Sequence, residues 1–210
     1  MIFYDCATAP SPRRARIFLA EKNVPHEVVQ IDLVSQQQLG EEYRAINPSC
    51  TVPALQLTDG TVFTENLGIA AYLEDRYPEP ALMGSSSSEK GAILNWNAMI
   101  EFQGLMPVAE ALRNSTPRMQ GRAITGPENY EQIPALAERG VKRVGHFFDR
   151  LNEQLKGRDF IASDQFSLAD ITAVVVVDFA RIVKLTPSED KHPDLLRWRK
   201  QLSDRPSLHL

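Results

Sequence analysis

The first eighty residues and the rest of the chain carry different periodicities, and this contrast limits the fold more than any other feature. Short β-rich runs alternate with helical patterns up to about residue 80, whereas the later residues show long helical patterns and almost no strand signal. The 210-residue length fits one large domain or two small ones. We therefore expect an α+β domain at 1–80, a linker at 81–88 and an all-helical domain at 89–210.

The N-terminal elements are expected in the order βαβαββα. Strands are predicted at Ile2–Tyr4 and Glu27–Leu33, separated by a helix with Pro12 at its first position, where proline is best tolerated. A helix between two strands indicates a parallel pair. The runs Ala54–Leu57 and Thr61–Phe63 are joined by an Asp-Gly turn, which predicts an antiparallel hairpin that completes the sheet.

The remaining segments predict helices. A polar stretch at 35–47 favours a short or irregular helix, and Glu65–Tyr77 closes the N-terminal domain. Ser167 and Asp170 have the spacing of a capping box and open the most apolar helix, which we expect at the buried centre of a bundle. The four helices predicted beyond the serine-rich linker are Glu89–Asn114, Glu128–Lys156, Leu168–Val183 and Asp194–Leu202.

Composition argues against several classes of protein. The net charge of −4 does not favour binding to nucleic acid or anionic membranes, and the longest apolar run, 168–177, is shorter than the ~20 residues of a membrane span. The first residues lack the pattern of a signal peptide, so we expect a cytoplasmic protein. Cys6 and Cys50 do not make a disulfide framework, and the Cys and His spacings indicate no metal site.

Four motifs follow one another along the chain: Ser11-Pro12 with Arg16, Asn47-Pro48 with 52–55, Thr64-Glu65-Asn66 with 69–73, and 167–171. Taken together, these motifs resemble the cytosolic glutathione S-transferases, in particular their serine-type members of the bacterial theta-, tau- and phi-like classes. The resemblance implies a thioredoxin-like N-terminal domain followed by an all-α C-terminal helical bundle. It also implies glutathione as co-substrate, no metal, and a homodimer in which the N-terminal domain of each subunit faces the helical domain of the other.

Ser11 is the predicted catalytic residue. From the residues alone, a serine before a proline is a helix N-cap. The resemblance implies instead that the Ser11 hydroxyl donates to the glutathione sulfur, where the helix N-terminus also helps to lower the thiol pKa. Thr8 and Cys6 lie in the same loop and compete for this role, and Ser11 is preferred because it is expected directly before the helix.

The resemblance implies a glutathione site built from three segments. A cis peptide bond at Val52-Pro53 would turn the Val52 backbone toward the cysteinyl part of glutathione, whereas the residues alone indicate a turn. Glu65 and Asn66 would hold the γ-glutamyl end, although both residues also suit helix capping. Asn66 stands where the family usually has a serine. Gln38 would reach the glycyl carboxylate, although its segment could equally be a solvated surface.

A small apolar electrophile is expected between the two domains, where Met and aromatic side chains suit varied substrates. The resemblance thus predicts a transferase that conjugates the glutathione thiolate to apolar electrophiles. A glutathione-dependent peroxidase or disulfide reductase and a non-catalytic binding module are the alternatives. The electrophile residues are Thr8, Met99, Phe102, Gln103 and Met106, which could also be ordinary core.

Overall fold

The computed structural model describes all residues from 1 to 210 and divides the chain into two compact units. The first unit comprises residues 1–80, together with 124–129 and residue 210. The second comprises residues 81–123 and 130–209. None of the helices in either unit combines the length and the apolar character that crossing a membrane requires.

A four-stranded mixed sheet organises the first unit. Its strands are β1 (Ile2–Asp5), β2 (Glu27–Gln30), β3 (Ala54–Gln56) and β4 (Val62–Phe63), in the spatial order β2-β1-β3-β4. β1 pairs with β2 in parallel and with β3 antiparallel, and β3 and β4 form the antiparallel hairpin. The helices are α1 (Pro10–Glu21), α2 (Glu41–Ile46) and α3 (Asn66–Arg76), which confirms the predicted order βαβαββα and the thioredoxin-like fold.

Helix α1 begins two residues earlier than the sequence predicts. Its N-cap is Ala9, Pro10 is its first residue, and Pro12 is the third residue rather than the first. Proline is accepted at both positions because the amides of a first helical turn have no intrahelical acceptor. The serine-proline pair therefore lies inside the helix and does not precede it.

Lys22 joins the far ends of α1 and α3. Its side chain is buried, and its Nζ donates to the carbonyls of Tyr77 at 2.6 Å and Pro80 at 2.7 Å. Its ammonium also pairs with Glu74 at 2.8 Å. A buried ammonium is stable only when its donors are matched in this way, so Lys22 fixes how α1 lies along α3.

The second unit is helical, which confirms the predicted all-α C-terminal bundle. The helix predicted at 89–114 is interrupted by a π-helical turn at Glu101–Leu105, and the helix predicted from Glu128 begins only at Pro134. The five α-helices are α4 (Ser87–Ile100), α5 (Met106–Arg113), α6 (Pro134–Gln154), α7 (Leu168–Phe179) and α8 (Pro193–Gln201).

The start of α4 is set by a capping box within the serine-rich segment. The Ser86 hydroxyl accepts from the Glu89 amide at 3.2 Å, and the Glu89 carboxylate accepts from the Ser86 amide at 3.3 Å. Each group satisfies a donor that the helix end would otherwise leave unpaired. The last two residues of the predicted linker, 87 and 88, are therefore helical.

Side chains hold the segment before α6 in an irregular path. Gln132 donates from Nε2 to the carbonyls of Arg113 at 2.6 Å and Thr116 at 2.8 Å. The Ile133 amide donates to Asn114 Oδ1 at 2.9 Å. Such bonds offer the backbone an alternative to helix, which explains why the predicted helix starts six residues late.

Asp170 ties the start of α7 to its surroundings. Residues 168–177 are all buried, as the sequence predicts, and Ser167 and Asp170 form a capping box. Asp170 Oδ2 accepts from the Ser167 amide at 3.1 Å and hydroxyl at 2.9 Å. Its Oδ1 accepts from the Ile161 amide at 3.0 Å and from Trp198 Nε1 at 3.1 Å. One carboxylate thus joins a loop, the start of α7 and helix α8.

We expect Asp170 to make stability depend on pH. Burial raises the pKa of this carboxyl from 3.8 to about 6, so between these values the folded protein holds a proton that the unfolded chain has lost. The contribution is complete below the unfolded pKa, declines through this window by about 3 kcal/mol, and is constant above it. Chemical denaturation at a series of pH values should show this decline in the wild type relative to Asp170→Asn, which cannot titrate; a pH-independent difference would contradict it.

Candidate active site

The starts of α1 and α3 meet at one edge of the first unit. Asn66, the first residue of α3, donates from Nδ2 to Ser11 Oγ at 3.0 Å. These residues are 55 positions apart in the chain. The structure therefore brings the predicted catalytic residue into contact with a predicted γ-glutamyl residue.

The reason given by the sequence for preferring Ser11 is wrong, because Ala9 and not Ser11 lies directly before α1. The Ser11 hydroxyl does not cap the helix. Its oxygen accepts two N–H groups, from Asn66 Nδ2 at 3.0 Å and from Arg14 Nη2 at 3.1 Å. No group of the chain accepts the hydrogen of Ser11. Since a hydroxyl has one donor and two acceptor positions, Ser11 can still donate to a ligand.

Arg14 is a site residue that sequence reasoning missed. Arg14 is only 6% exposed, although arginine is rarely buried unless it is paired. The signal lay in its spacing: Arg14 follows Ser11 by three positions and precedes Phe18 by four, so it lies on the apolar face of α1. A cation on an apolar helix face indicates that it binds a polar group, and here that group is the Ser11 hydroxyl.

The two helix starts give this edge a positive character. The backbone amides of Asn66, Leu67 and Gly68 have no acceptor within the chain. In α1, Pro10 and Pro12 have no N–H, so the Ser11 amide is the one donor among the first three residues. Free amides and the helix dipole together favour an anion at such a position.

Side-chain hydrogen bonds hold the loop that carries the Val52 backbone. The Val52-Pro53 peptide bond is cis, as the resemblance implies. The preceding carbonyl, that of Thr51, accepts from the Tyr43 hydroxyl at 2.6 Å and from Asn47 Nδ2 at 2.7 Å. Burial raises the pKa of Tyr43 to about 12, so this hydroxyl stays a donor at ordinary pH. The N–H and C=O of Val52 have no partner in the chain and are available to a ligand.

The remaining predicted site residues of the first unit are Glu65, Gln38 and Thr8. Glu65 is exposed and is the N-cap of α3, without a capping bond from its side chain. Gln38 is partly buried in a 3₁₀ turn, and its Oε1 is buried without a hydrogen-bond partner. Thr8 is exposed, and its Oγ1 lies 3.6 Å from the sulfur of the buried Cys6. No cluster of His, Cys, Asp or Glu suitable for a metal ion is present.

The predicted electrophile residues of the second unit lie around the π-helical turn. Phe102 is 67% exposed and Met106 is 52% exposed, and four positions on a helix place them on one face. Met99 and Gln103 are partly buried. The Arg143 guanidinium lies 5.1 Å from the centre of the Phe102 ring. The exposed phenyl and thioether groups form a surface that suits an apolar molecule.

A thioredoxin-like unit whose edge favours an anion, followed by a helical unit, is the arrangement typical of the glutathione transferases. Comparison with known proteins agrees. Residues 8–76 match the family "Glutathione S-transferase, N-terminal domain" and residues 118–206 match "Glutathione S-transferase, C-terminal domain". Glutathione S-transferase 2 of Saccharomyces cerevisiae is 37% identical over 99% of this chain and 88% of its own length. The chain belongs to the glutathione S-transferase family.

Solved structures support the same assignment along the whole chain. Gtt2 from Saccharomyces cerevisiae has a TM-score of 0.90 at 35% identity and covers 100% of this chain and 99% of its own. A glutathione S-transferase domain-containing protein from Marinobacter aquaeolei also has a TM-score of 0.90, at 31% identity, over 99% of this chain and 100% of its own. The similarity therefore includes both units.

We expect Tyr43→Phe to loosen the loop before Val52. The change removes one of the two side-chain donors to the Thr51 carbonyl, and the free energy of unfolding should fall by about 1 kcal/mol. The backbone order parameter of Val52, measured by NMR relaxation, should fall. Tyr72→Phe is the matched control, because the Tyr72 ring stacks on Phe63 while its hydroxyl has no partner. Equal effects of both changes would contradict a role for the Tyr43 hydroxyl.

Proposed function

We propose that this protein binds glutathione, lowers the pKa of its thiol and conjugates the thiolate to small apolar electrophiles. The observation that carries the proposal is the Ser11 hydroxyl, which has an unused donor at an edge that favours anions. A donor at this place stabilises a thiolate over a thiol. Because the thiolate is the nucleophile, a lower thiol pKa increases the reactive fraction at neutral pH.

Ser11 acts in this proposal as a hydrogen-bond donor and not as a nucleophile. The glutathione thiol loses its proton to solvent, and the sulfur then attacks an electrophilic carbon. A sulfur–carbon bond forms, and the leaving group departs with its electron pair, or the electron pair moves onto a conjugated acceptor. Holding both reactants together supplies much of the rate enhancement.

The rest of glutathione is held by the backbone and by helix ends. The free N–H and C=O of Val52 pair with the cysteinyl residue in the manner of an added strand, and Pro53 shapes this turn. The amides at the start of α3 bind the γ-glutamyl carboxylate, with Glu65 near the amino group. Gln38 serves the glycyl carboxylate. The electrophile contacts Thr8, Met99, Phe102, Gln103 and Met106.

Some relatives are named for other reactions, so the reaction that this protein catalyses needs a direct assay. Maleylacetoacetate isomerase of Mus musculus is 29% identical over 96% of this chain and 87% of its own length. The assays therefore include isomerisation, and reduction of peroxides and disulfides, besides conjugation. A chain that does not bind glutathione would instead be a non-catalytic binding module.

We expect Ser11→Ala to reduce conjugation of an aryl halide. Loss of the donor should raise the pKa of the bound thiol by about one unit and lower kcat at neutral pH about 10-fold. The ultraviolet absorbance of the thiolate in the complex reports the pKa directly. Ser88→Ala, which removes an exposed hydroxyl without a partner, is the control. An unchanged thiol pKa would exclude Ser11, and Thr8→Val and Cys6→Ser would then test the competing donors.

A homodimer and a cytoplasmic location stay predictions of the family resemblance. Light scattering of the purified protein should give twice the chain mass of 23.6 kDa. The chain mass itself, at micromolar concentration, would contradict the dimer. Calorimetric titration with glutathione on the same sample tests ligand binding independently of assembly.

A further inference from the structure

We propose that Arg113 and Arg122 form an anion site in the second unit that binds a phosphate group, either inorganic phosphate or a phosphate monoester. Arg113 is the last residue of α5, and Arg122 lies in the segment between α5 and α6. Neither residue belongs to the sets proposed for glutathione and for the electrophile. The site therefore goes beyond the proposed function and does not depend on it.

Arg113 is a partly buried cation without an acidic partner. Its Nη1 donates to the Arg122 carbonyl at 2.7 Å, and this is the one hydrogen bond that its guanidinium makes. That bond uses one of the five N–H groups of a guanidinium. Since arginine is rarely buried unless it is paired, the remaining donors indicate a ligand that the chain does not supply.

The acid nearest to Arg113 along the chain is engaged elsewhere. Glu110 lies three positions before Arg113, a spacing at which ion pairs form on a helix. Its two carboxylate oxygens instead contact Arg139 at 3.1 Å and Arg143 at 3.2 Å, both on α6. From 111 to 127 the chain contains three arginines and no acidic residue. The charge of Arg113 is therefore not neutralised from within its own segment.

A second positive charge lies close to the first. Burial and then the nearby charge of Arg122 lower the pKa of Arg113. The hydrogen bond from Arg113 to the Arg122 carbonyl keeps the two residues together, although their like charges repel each other. An anion that contacts Arg113 is attracted by both guanidiniums and offsets this repulsion.

Side-chain amides hold the backbone around Arg113. Asn114 is 6% exposed, and its Oδ1 accepts from the Ile133 amide at 2.9 Å while its Nδ2 donates to the Glu110 carbonyl at 3.0 Å. Gln132 Nε2 donates to the Arg113 carbonyl at 2.6 Å. Because the backbone is already fixed, binding an anion requires little further ordering of the chain. The site is therefore preorganised.

Phosphate suits this pair of arginines better than a carboxylate does. A phosphate monoester has three acceptor oxygens and about −1.5 to −2 charges at neutral pH, so it can accept from Arg113 while it attracts Arg122. A carboxylate offers two oxygens and a single charge. The paired N–H groups of arginine also match the geometry of phosphate oxygens. The geometry therefore favours a phosphate group.

Calorimetric titration with inorganic phosphate tests the site. We expect Arg113→Met to raise the Kd for phosphate about 10-fold or more, because it removes charge-assisted donors. Arg118→Met is the matched control, since it removes an exposed arginine without a partner from the same segment, and it should bind like the wild type. The free amides of α3 attract anions equally in all three proteins, so the difference reports the Arg113 site. Equal Kd values in the three proteins, or no binding by the wild type, overturn the proposal.

Arg122→Met separates binding from the structural role of Arg113. This variant keeps the backbone carbonyl to which Arg113 donates, but it removes the second positive charge. We expect its Kd for phosphate to rise about 5-fold. Thermal unfolding verifies that each variant is folded, and where Arg113→Met is not, Arg122→Met decides. An unchanged Kd in folded Arg122→Met overturns the proposal.

Phenyl phosphate distinguishes the two sources of the phosphate group. Tyr130 forms an isolated bridge with Arg122, and its ring is 49% exposed, so the ring offers a surface to an aromatic ester. Binding of phenyl phosphate that is tighter than that of inorganic phosphate, with the gain lost in Tyr130→Ala, assigns the site to monoesters. Similar Kd values assign it to inorganic phosphate. Acetate that binds the wild type as tightly as phosphate overturns the assignment to a phosphate group.

Discussion

The parallel contact between α1 and α3, joined at both ends, is the constraint on which the rest of the first unit depends. Asn66 meets Ser11 where the helices begin, and Lys22 joins them where they end, through Glu74 and the carbonyl of Tyr77. The Lys22 ammonium is buried, so any sliding of one helix along the other would leave a charge without partners. The far end of the helix pair thus determines the spacing of the groups at the near end.

A chain of negative net charge can still offer a site to an anion at the edge where α1 and α3 begin. The overall charge of −4 provides no attraction for glutathione, which is itself anionic. Attraction must come from local groups, and α3 offers free amides while α1 offers few because of Pro10 and Pro12. The buried Arg14 lies close to the start of α1, where its Nη2 donates to Ser11 Oγ at 3.1 Å. The edge is therefore favourable for an anion in spite of the net charge.

The order of the elements was predictable from sequence, because periodicity, the Asp-Gly hairpin and the Ser167 capping box are local signals. The first and last residues of the elements were less predictable. Ser11 before Pro12 is typical of an N-cap, but the preceding Pro10 can start a helix equally well, and only packing decides between them. Similarly, the late start of α6 depends on Gln132 reaching carbonyls 16 and 19 positions away. The contact between Ser11 and Asn66 joins two elements and has no local signal.

Asn66 shows why a departure from a family pattern needs the structure for its interpretation. By sequence alone, asparagine in place of serine puts glutathione binding in doubt, because a serine hydroxyl is a good donor to a carboxylate. In the structure the first backbone amides of α3 have no acceptor within the chain, and the Asn66 side chain contacts Ser11. A side-chain amide has a donor and an acceptor on one carbon, so Asn66 donates from Nδ2 to Ser11 Oγ while its Oδ1 is buried without a hydrogen-bond partner in the chain. The asparagine therefore joins the starts of α1 and α3 through a contact that the sequence does not reveal.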